Sequence, residues 1–145
     1  MLLSPLRPHT TMAMEKLKMA AKLVDLGVDI INDIWGLRQP GAMACVRNSS
    51  CGVCVMHMHG EPLTMQRVPM EGPVVSTVVE FLRERGQALE DAGVASARIC
   101  MDPGIGFGKT LEHNFALLRD QSELLALGYP VLAAWSRKSS LGAVT

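Results

Sequence analysis

Apolar, β-branched segments alternating with amphipathic stretches predict an α/β fold on a parallel sheet, because strands covered on both faces read as continuous apolar runs. Polar clusters fall just past the ends of these segments. That placement favours a (β/α)8 barrel over a doubly wound sheet, although both put chemistry at strand C-termini. Length is the third constraint: a complete barrel takes about 250 residues and eight strands, and this chain has 145 residues. The expectation is therefore a TIM barrel present only in part, about four parallel strands with covering helices, in a chain cut at both ends.

Met12 to Leu26 carries Met14, Leu17, Ala21 and Val24 at helical spacing, with Thr11 placed to cap the helix and Gly27 to stop it. Val28 to Ile34 is a short apolar strand with Asn32 and Asp33 near its C-terminal end, and Gly36 and Pro40 mark the turn beyond. A short helix near Ala42 to Val46 precedes a second strand, Val53 to Met58, and a long irregular stretch, His59 to Gly72. Pro73 opens a long helix with Val75, Val78, Val79, Leu82 and Leu89 on its buried stripe. Glu80, Arg83, Glu84 and Arg85 are expected to face outward, and Gly93 to end the helix. Arg98 to Asp102 forms the third strand and runs into the glycine-rich loop Pro103 to Thr110. A third long helix follows, with Leu111, Phe115, Leu118 and Leu125 as its buried stripe, and Pro130 to Ser136 supplies a fourth strand. Residues 1–26 are set apart as a divergent N-terminal segment with a helix, and residues 27–145 as the partial barrel.

With 48% hydrophobic and 19% charged residues the chain has a globular composition. Lysine plus arginine equal aspartate plus glutamate at 14 each, so no net field recruits nucleic acid or an anionic membrane, and small-molecule partners are expected. The N-terminus lacks the sustained apolar run of a secretory signal. A cytoplasmic location follows, with Cys45, Cys51, Cys54 and Cys100 kept as reduced thiols.

Asp102 to Thr110 invites a phosphate-loop reading, but a Walker loop ending in Gly108-Lys109-Thr110 needs glycine where Pro103 stands. A looser anion nest, or a turn whose glycines serve only positive φ, remains open. Asp102, at a strand end beside a loop without bulky side chains, is well placed to accept paired hydrogen bonds from an amino-pyrimidinone edge. Cys51, Cys54, His57 and His59 compete as a zinc site, yet alternation along a strand separates Cys54 from both histidines. Met56 and Met58 are core filler or packing for a flat heterocycle. Ser136-Arg137-Lys138-Ser139 suits an anionic or carbonyl-bearing ligand, or is simply a solvated charge cluster. Asn32 is a turn residue or a donor and acceptor for a ring edge.

Taken together, Ile31-Asn32-Asp33-Ile34, Met56-His57-Met58-His59-Gly60-Glu61-Pro62-Leu63-Thr64-Met65-Gln66, Asp102 to Lys109 and Ser136-Arg137-Lys138-Ser139 resemble the dihydropteroate synthase family in order and spacing. The resemblance covers about Gly27 to Thr145. It implies a TIM barrel without its first strands and its last, and an alkyl transfer in folate biosynthesis, the sulfonamide target. In that reaction 6-hydroxymethyl-7,8-dihydropterin pyrophosphate condenses with p-aminobenzoate, with Mg2+ held largely through the substrate pyrophosphate and through family segments that this chain lacks. It further implies Asn32, Ile34, Met56, Asp102, Phe107 and Lys138 for the pterin, and Ser136, Phe107 and Lys138 for p-aminobenzoate. Asp102 and Lys138 take the catalytic roles, no side chain ligates metal, and a homodimer is the family's habit. Two departures stand out: no Val-Asp-Thr strand lies upstream of Gly27, and Ala134 occupies a position where the family usually has glycine. A pterin-binding methyltransferase is the second enzyme reading, and a Cys/His zinc-binding hydrolase or module the third.

Overall fold

The computed structural model describes residues 19, 21–61 and 70–135. Met14, Leu17 and the Thr11 cap of the first helix lie outside them, as do Pro62 to Pro69 and Ser136 to Thr145. Residues 21–25 are helical. The helix closes where the sequence places its stop, the Gly27 and Val28 amides bonding back to the Val24 and Leu23 carbonyls.

The element order is β1 (Ile30–Asp33), α1 (Ala42–Arg47), β2 (Gly52–Met56), α2 (Val74–Asp91), a 3-10 turn (Ser96–Arg98), β3 (Ile99–Asp102), α3 (Leu111–Arg119) and α4 (Gln121–Leu125). The sheet is parallel throughout, in the order β1-β2-β3. Val131 continues the series through a parallel bridge to Met101. Neighbours in sequence are neighbours in space, the order of a barrel, whereas a doubly wound sheet reverses at its switch point.

Strand alternation gives the sheet two distinct faces. Val53, Val55, Ile99 and Met101 point to the face where the main core gathers, packed with Val78, Leu82 and Leu89 of α2 and with Leu117 and Leu124 of α3 and α4. By the same register Asn32, Cys54 and Cys100 share the opposite face, and one step further on Met56 pairs with Asp102 there. The helix layer therefore stabilises the sheet and leaves the other face to Asn32, Met56, Asp102 and the two cysteines.

Several expectations change. β1 ends at Asp33, and Ile34 belongs to the turn that follows, because Asp33 accepts the Leu37 amide on Oδ2 and the Gly36 amide on its carbonyl oxygen. β2 stops at Met56, so His57 and Met58 lie beyond it. The long helix expected after the glycine loop is two, α3 and α4, broken at Asp120. Its buried side is also different. Leu111, Leu118 and Leu125 are 43%, 40% and 55% exposed, and the buried residues are Asn114, Leu117 and Leu124. Phe115 sits partly buried against Trp135. The fourth strand is reduced to the single Met101–Val131 bridge, with no regular strand over residues 132–135. On α2, Glu80 and Arg83 form an exposed ion pair as expected. Arg85 instead turns inward, its guanidinium donating to the Gly36 and Leu37 carbonyls. Arg98 performs the same service between α1 and β2, reaching the Val46 and Cys51 carbonyls and Ser49 Oγ. Among the described residues no helix is long and apolar enough to cross a membrane.

Candidate active site

The loop after β3 lies directly on the segment after β2. The His57 amide donates to the Asp102 carbonyl at 3.0 Å, the His59 amide to Phe107 at 3.4 Å and the Met70 amide to Gly108 at 2.8 Å. Glycine is required for this approach at two points. Gly104 has φ +70° and a Cβ there would overlap the His57 carbonyl oxygen; Gly108 has φ +72° and its Cβ would come within 2.5 Å of the His59 carbonyl oxygen. The glycine run is thus read in full as close backbone packing and left-handed turns.

Asp102 is 3% exposed, and its Oδ1 accepts the Gly104 amide at 2.7 Å. This bond folds the loop back over the strand end and fixes the carboxylate. Asn114, buried on α3, accepts the Gly106 amide at 3.0 Å, and Thr110 with His113 forms a capping box at the start of the same helix. The loop is held from both ends.

Lys109 was the loop's one cation for an anion nest. The structure buries it, with Nζ donating to the carbonyls of Gly104 at 2.9 Å, His57 at 3.3 Å and Phe107 at 3.3 Å. Its charge organises the loop from within. Lys109→Met retains the stem but removes the ammonium's bonds to three carbonyls, of which Gly104 and Phe107 keep the Phe107 and His59 amides, and a hydrogen bond to a charged group contributes about 1.5–3 kcal/mol. The variant is expected to melt roughly 10 °C lower, as the per-residue unfolding entropy implies for about 3 kcal/mol; a melting temperature within error of the parent in calorimetry contradicts this role.

His57 is buried with its ring edge-on to Phe81, centroids 5.0 Å apart, and its Nδ1 finds no partner among the described residues. Burial first, then the nearby Lys109, His59 and Arg38 charges, pushes its pKa down to about 3 from 6.5. The folded pKa lies below the unfolded one, so the unfolded chain binds the extra proton. Stability is full above about pH 6.5 and falls as pH drops towards 3. Between pH 6.5 and 5, above most carboxylate titration, the loss amounts to about 2 kcal/mol. Urea melts at those two pH values are expected to show it, and His57→Gln to remove most of it.

Of the residues singled out in the sequence, Met56 and Asp102 are direct register partners, and Asn32 shares their face in the adjacent row. Ile34 is in the turn after β1, half-buried, and Phe107 is half-buried in the glycine loop. Ser136 and Lys138 lie outside the described residues. Cys51, Cys54, His57 and His59 do not gather: among the described residues no three His, Cys, Asp or Glu side chains could hold a metal ion. Sequence reasoning missed Asn114 and the inward roles of Lys109, Arg85 and Arg98. A cleft of about 260 Å³ lined by Arg83, Gln87, Glu123, Ala126, Leu127 and Tyr129 belongs to the helical side and includes none of the site residues.

Comparison with known proteins gives the same direction. The family model for pterin binding enzymes matches residues 10–145. The dihydropteroate synthase of Haemophilus influenzae is 43% identical over 120 residues, covering 83% of this chain and 44% of that protein. Among solved structures, the dihydropteroate synthase of Stenotrophomonas maltophilia superposes with a TM-score of 0.84 at 44% identity, covering 88% of this chain and 48% of that one. The Xanthomonas albilineans enzyme in complex with 7,8-dihydropteroate gives 0.80 at 40% identity over 88% and 47%. The chain spans under half the length of these curated relatives.

Proposed function

The chain belongs to the pterin binding enzymes, and from that membership we propose that it supplies the pterin-recognising half of a dihydropteroate synthase. The observation that carries this reading is Asp102: a buried carboxylate at a parallel strand end, fixed by the Gly104 amide, with Met56 beside it and Asn32 on the same face. The acidic side chain accepts from the amino-pyrimidinone edge of the pterin, Asn32 both donates and accepts, and Ile34, Met56 and Phe107 supply apolar surface for the ring. Lys138 is assigned to the pterin carbonyl and ring nitrogen, and Ser136 with Phe107 and Lys138 to p-aminobenzoate. Residues 27–145 are the pterin-binding unit in this reading, with residues 1–26 apart from it.

The reaction forms one C–N bond and breaks one C–O bond at the pterin methylene, the amine losing a proton as pyrophosphate leaves. Positive charge develops on the pterin ring, and a fixed Asp102 stabilises it without reorganising. The described residues do not fit a protein-held Mg2+, since no three candidate ligands converge; in this reading the ion is held by the substrate's pyrophosphate. Such a chain works in the cytoplasm, on small-molecule substrates, with a homodimer as the assembly.

Isothermal titration with 6-hydroxymethylpterin tests the proposal. Saturable binding, with p-aminobenzoate binding only in its presence or that of pyrophosphate, supports it. A chain shown by circular dichroism to be folded that binds no pterin overturns it.

A further inference from the structure

Two cysteines stand in register on the site face. Cys54 of β2 and Cys100 of β3 are direct partners in the parallel pairing, one row below Met56 and Asp102. Adjacent strands run about 4.8 Å apart, inside the Cα separation of about 4.4–6.8 Å that a disulfide accepts. In-register residues also point their side chains to the same side. The two thiols are close enough to interact electrostatically, and both are reduced. Cys54 is buried while Cys100 is half-buried, so a small oxidant meets Cys100 first.

We propose that Cys54 and Cys100 form a reversible modification site, a cross-strand dithiol that a peroxide converts to a disulfide in the floor of the site face. The Cys100 thiol ionises and its thiolate attacks hydrogen peroxide; the O–O bond breaks, the departing hydroxide takes up the released proton, and a sulfenic acid and one water result. Cys54 then attacks that sulfur, its proton leaving with the departing hydroxide as a second water. Two S–H bonds are lost, one S–S bond forms, and the peroxide takes up two electrons. Burial, followed by the Cys100 and Asp102 charges, pushes the Cys54 thiol up, which suits the resolving role rather than the attacking one.

The competing pair is Cys45 with Cys51, which are close enough to interact electrostatically. Cys51 is held elsewhere, with Sγ 2.9 Å from Ser49 Oγ. This inference needs no pterin to be bound, and its test reads none. The reduced chain is treated with a small excess of hydrogen peroxide, alkylated and digested with trypsin without reduction. The expected product joins the peptide spanning residues 48–67 to that spanning 99–109, and dithiothreitol separates them. Cys51→Ser keeps the link, whereas Cys54→Ser and the milder Cys100→Ser each abolish it, in chains checked for unchanged circular dichroism. A Cys45–Cys51 link in its place overturns the proposal. So does a link that survives in Cys54→Ser, or sulfinic acid on Cys100 without any cross-link.

Discussion

Asp102→Asn is expected to weaken pterin binding on the order of a hundredfold while leaving the chain folded. The carboxylate is an acceptor on both oxygens, and an amide puts a donor where one acceptor was. A hydrogen bond to a charged group contributes about 1.5–3 kcal/mol, and about 2.7 kcal/mol is a factor of one hundred in affinity. The fold is spared because the asparagine oxygen can still accept the Gly104 amide, as Oδ1 of Asp102 does now at 2.7 Å. Titration with 6-hydroxymethylpterin reads the effect, and calorimetric melting of both chains reads the fold. Unchanged affinity removes Asp102 from the pterin site. An affinity loss accompanied by a large drop in melting temperature assigns the residue to loop structure, and the contact with the ring loses its support.

The parallel strands were legible because β-branched and apolar residues concentrate where the sheet is covered: Val53 to Val55 and Ile99 to Met101 are central to it. The site face was legible through strand ends, since Asn32, Met56 and Asp102 need only strand periodicity to share a side. The face of α3 was misread for a physical reason. Leu111, Leu118 and Leu125 repeat every seventh position, the usual sign of a buried stripe. Here the core side is instead taken by Leu117, Leu124 and a polar Asn114, whose oxygen is needed by the Gly106 amide. A residue that looks like surface is buried because it serves a loop eight positions away.

The inward cations share one cause. Arg85, Arg98 and Lys109 all donate to main-chain carbonyls of distant segments. Such acceptors carry no side-chain signature, so helical periodicity puts Arg85 on the outer face, and nothing in the sequence marks Arg98 or Lys109 as donors to a distant backbone. The same holds for Gly104 and Gly108, whose partners are the carbonyls of His57 and His59. A glycine run in sequence says that some backbone approaches closely, and only the fold says which. The fourth strand failed at the opposite limit, since Leu132 bonds back to Met101 yet among the described residues no ladder extends past Val131.

That close approach makes Gly104→Ala the more disruptive substitution for the fold. The added methyl group would sit on the His57 carbonyl oxygen, with the His57 carbonyl carbon 3.0 Å away and Lys109 Nζ at 3.2 Å. A backbone carbonyl cannot rotate aside as a flexible side chain does, so the loop must lift. Alanine at φ +70° adds a further cost of about 1–2 kcal/mol, and overpacking against fixed neighbours typically costs about 1–3 kcal/mol. Lifting also separates Lys109 from the carbonyls it bridges and Asp102 from the Gly104 amide. The two costs sum to about 2–5 kcal/mol before the lost hydrogen bonds are added, a large part of the stability of an ordinary domain. The variant is expected to melt at least about 10 °C lower, and any pterin affinity to vanish with the loop. Gly93→Ala is the matched control: it also has positive φ, at +96°, but nothing lies within 4 Å of its Cβ. It carries the backbone cost alone, so it should lose clearly less. Equal losses in the two variants would show that φ, and not the contact with His57, sets the requirement for glycine at position 104.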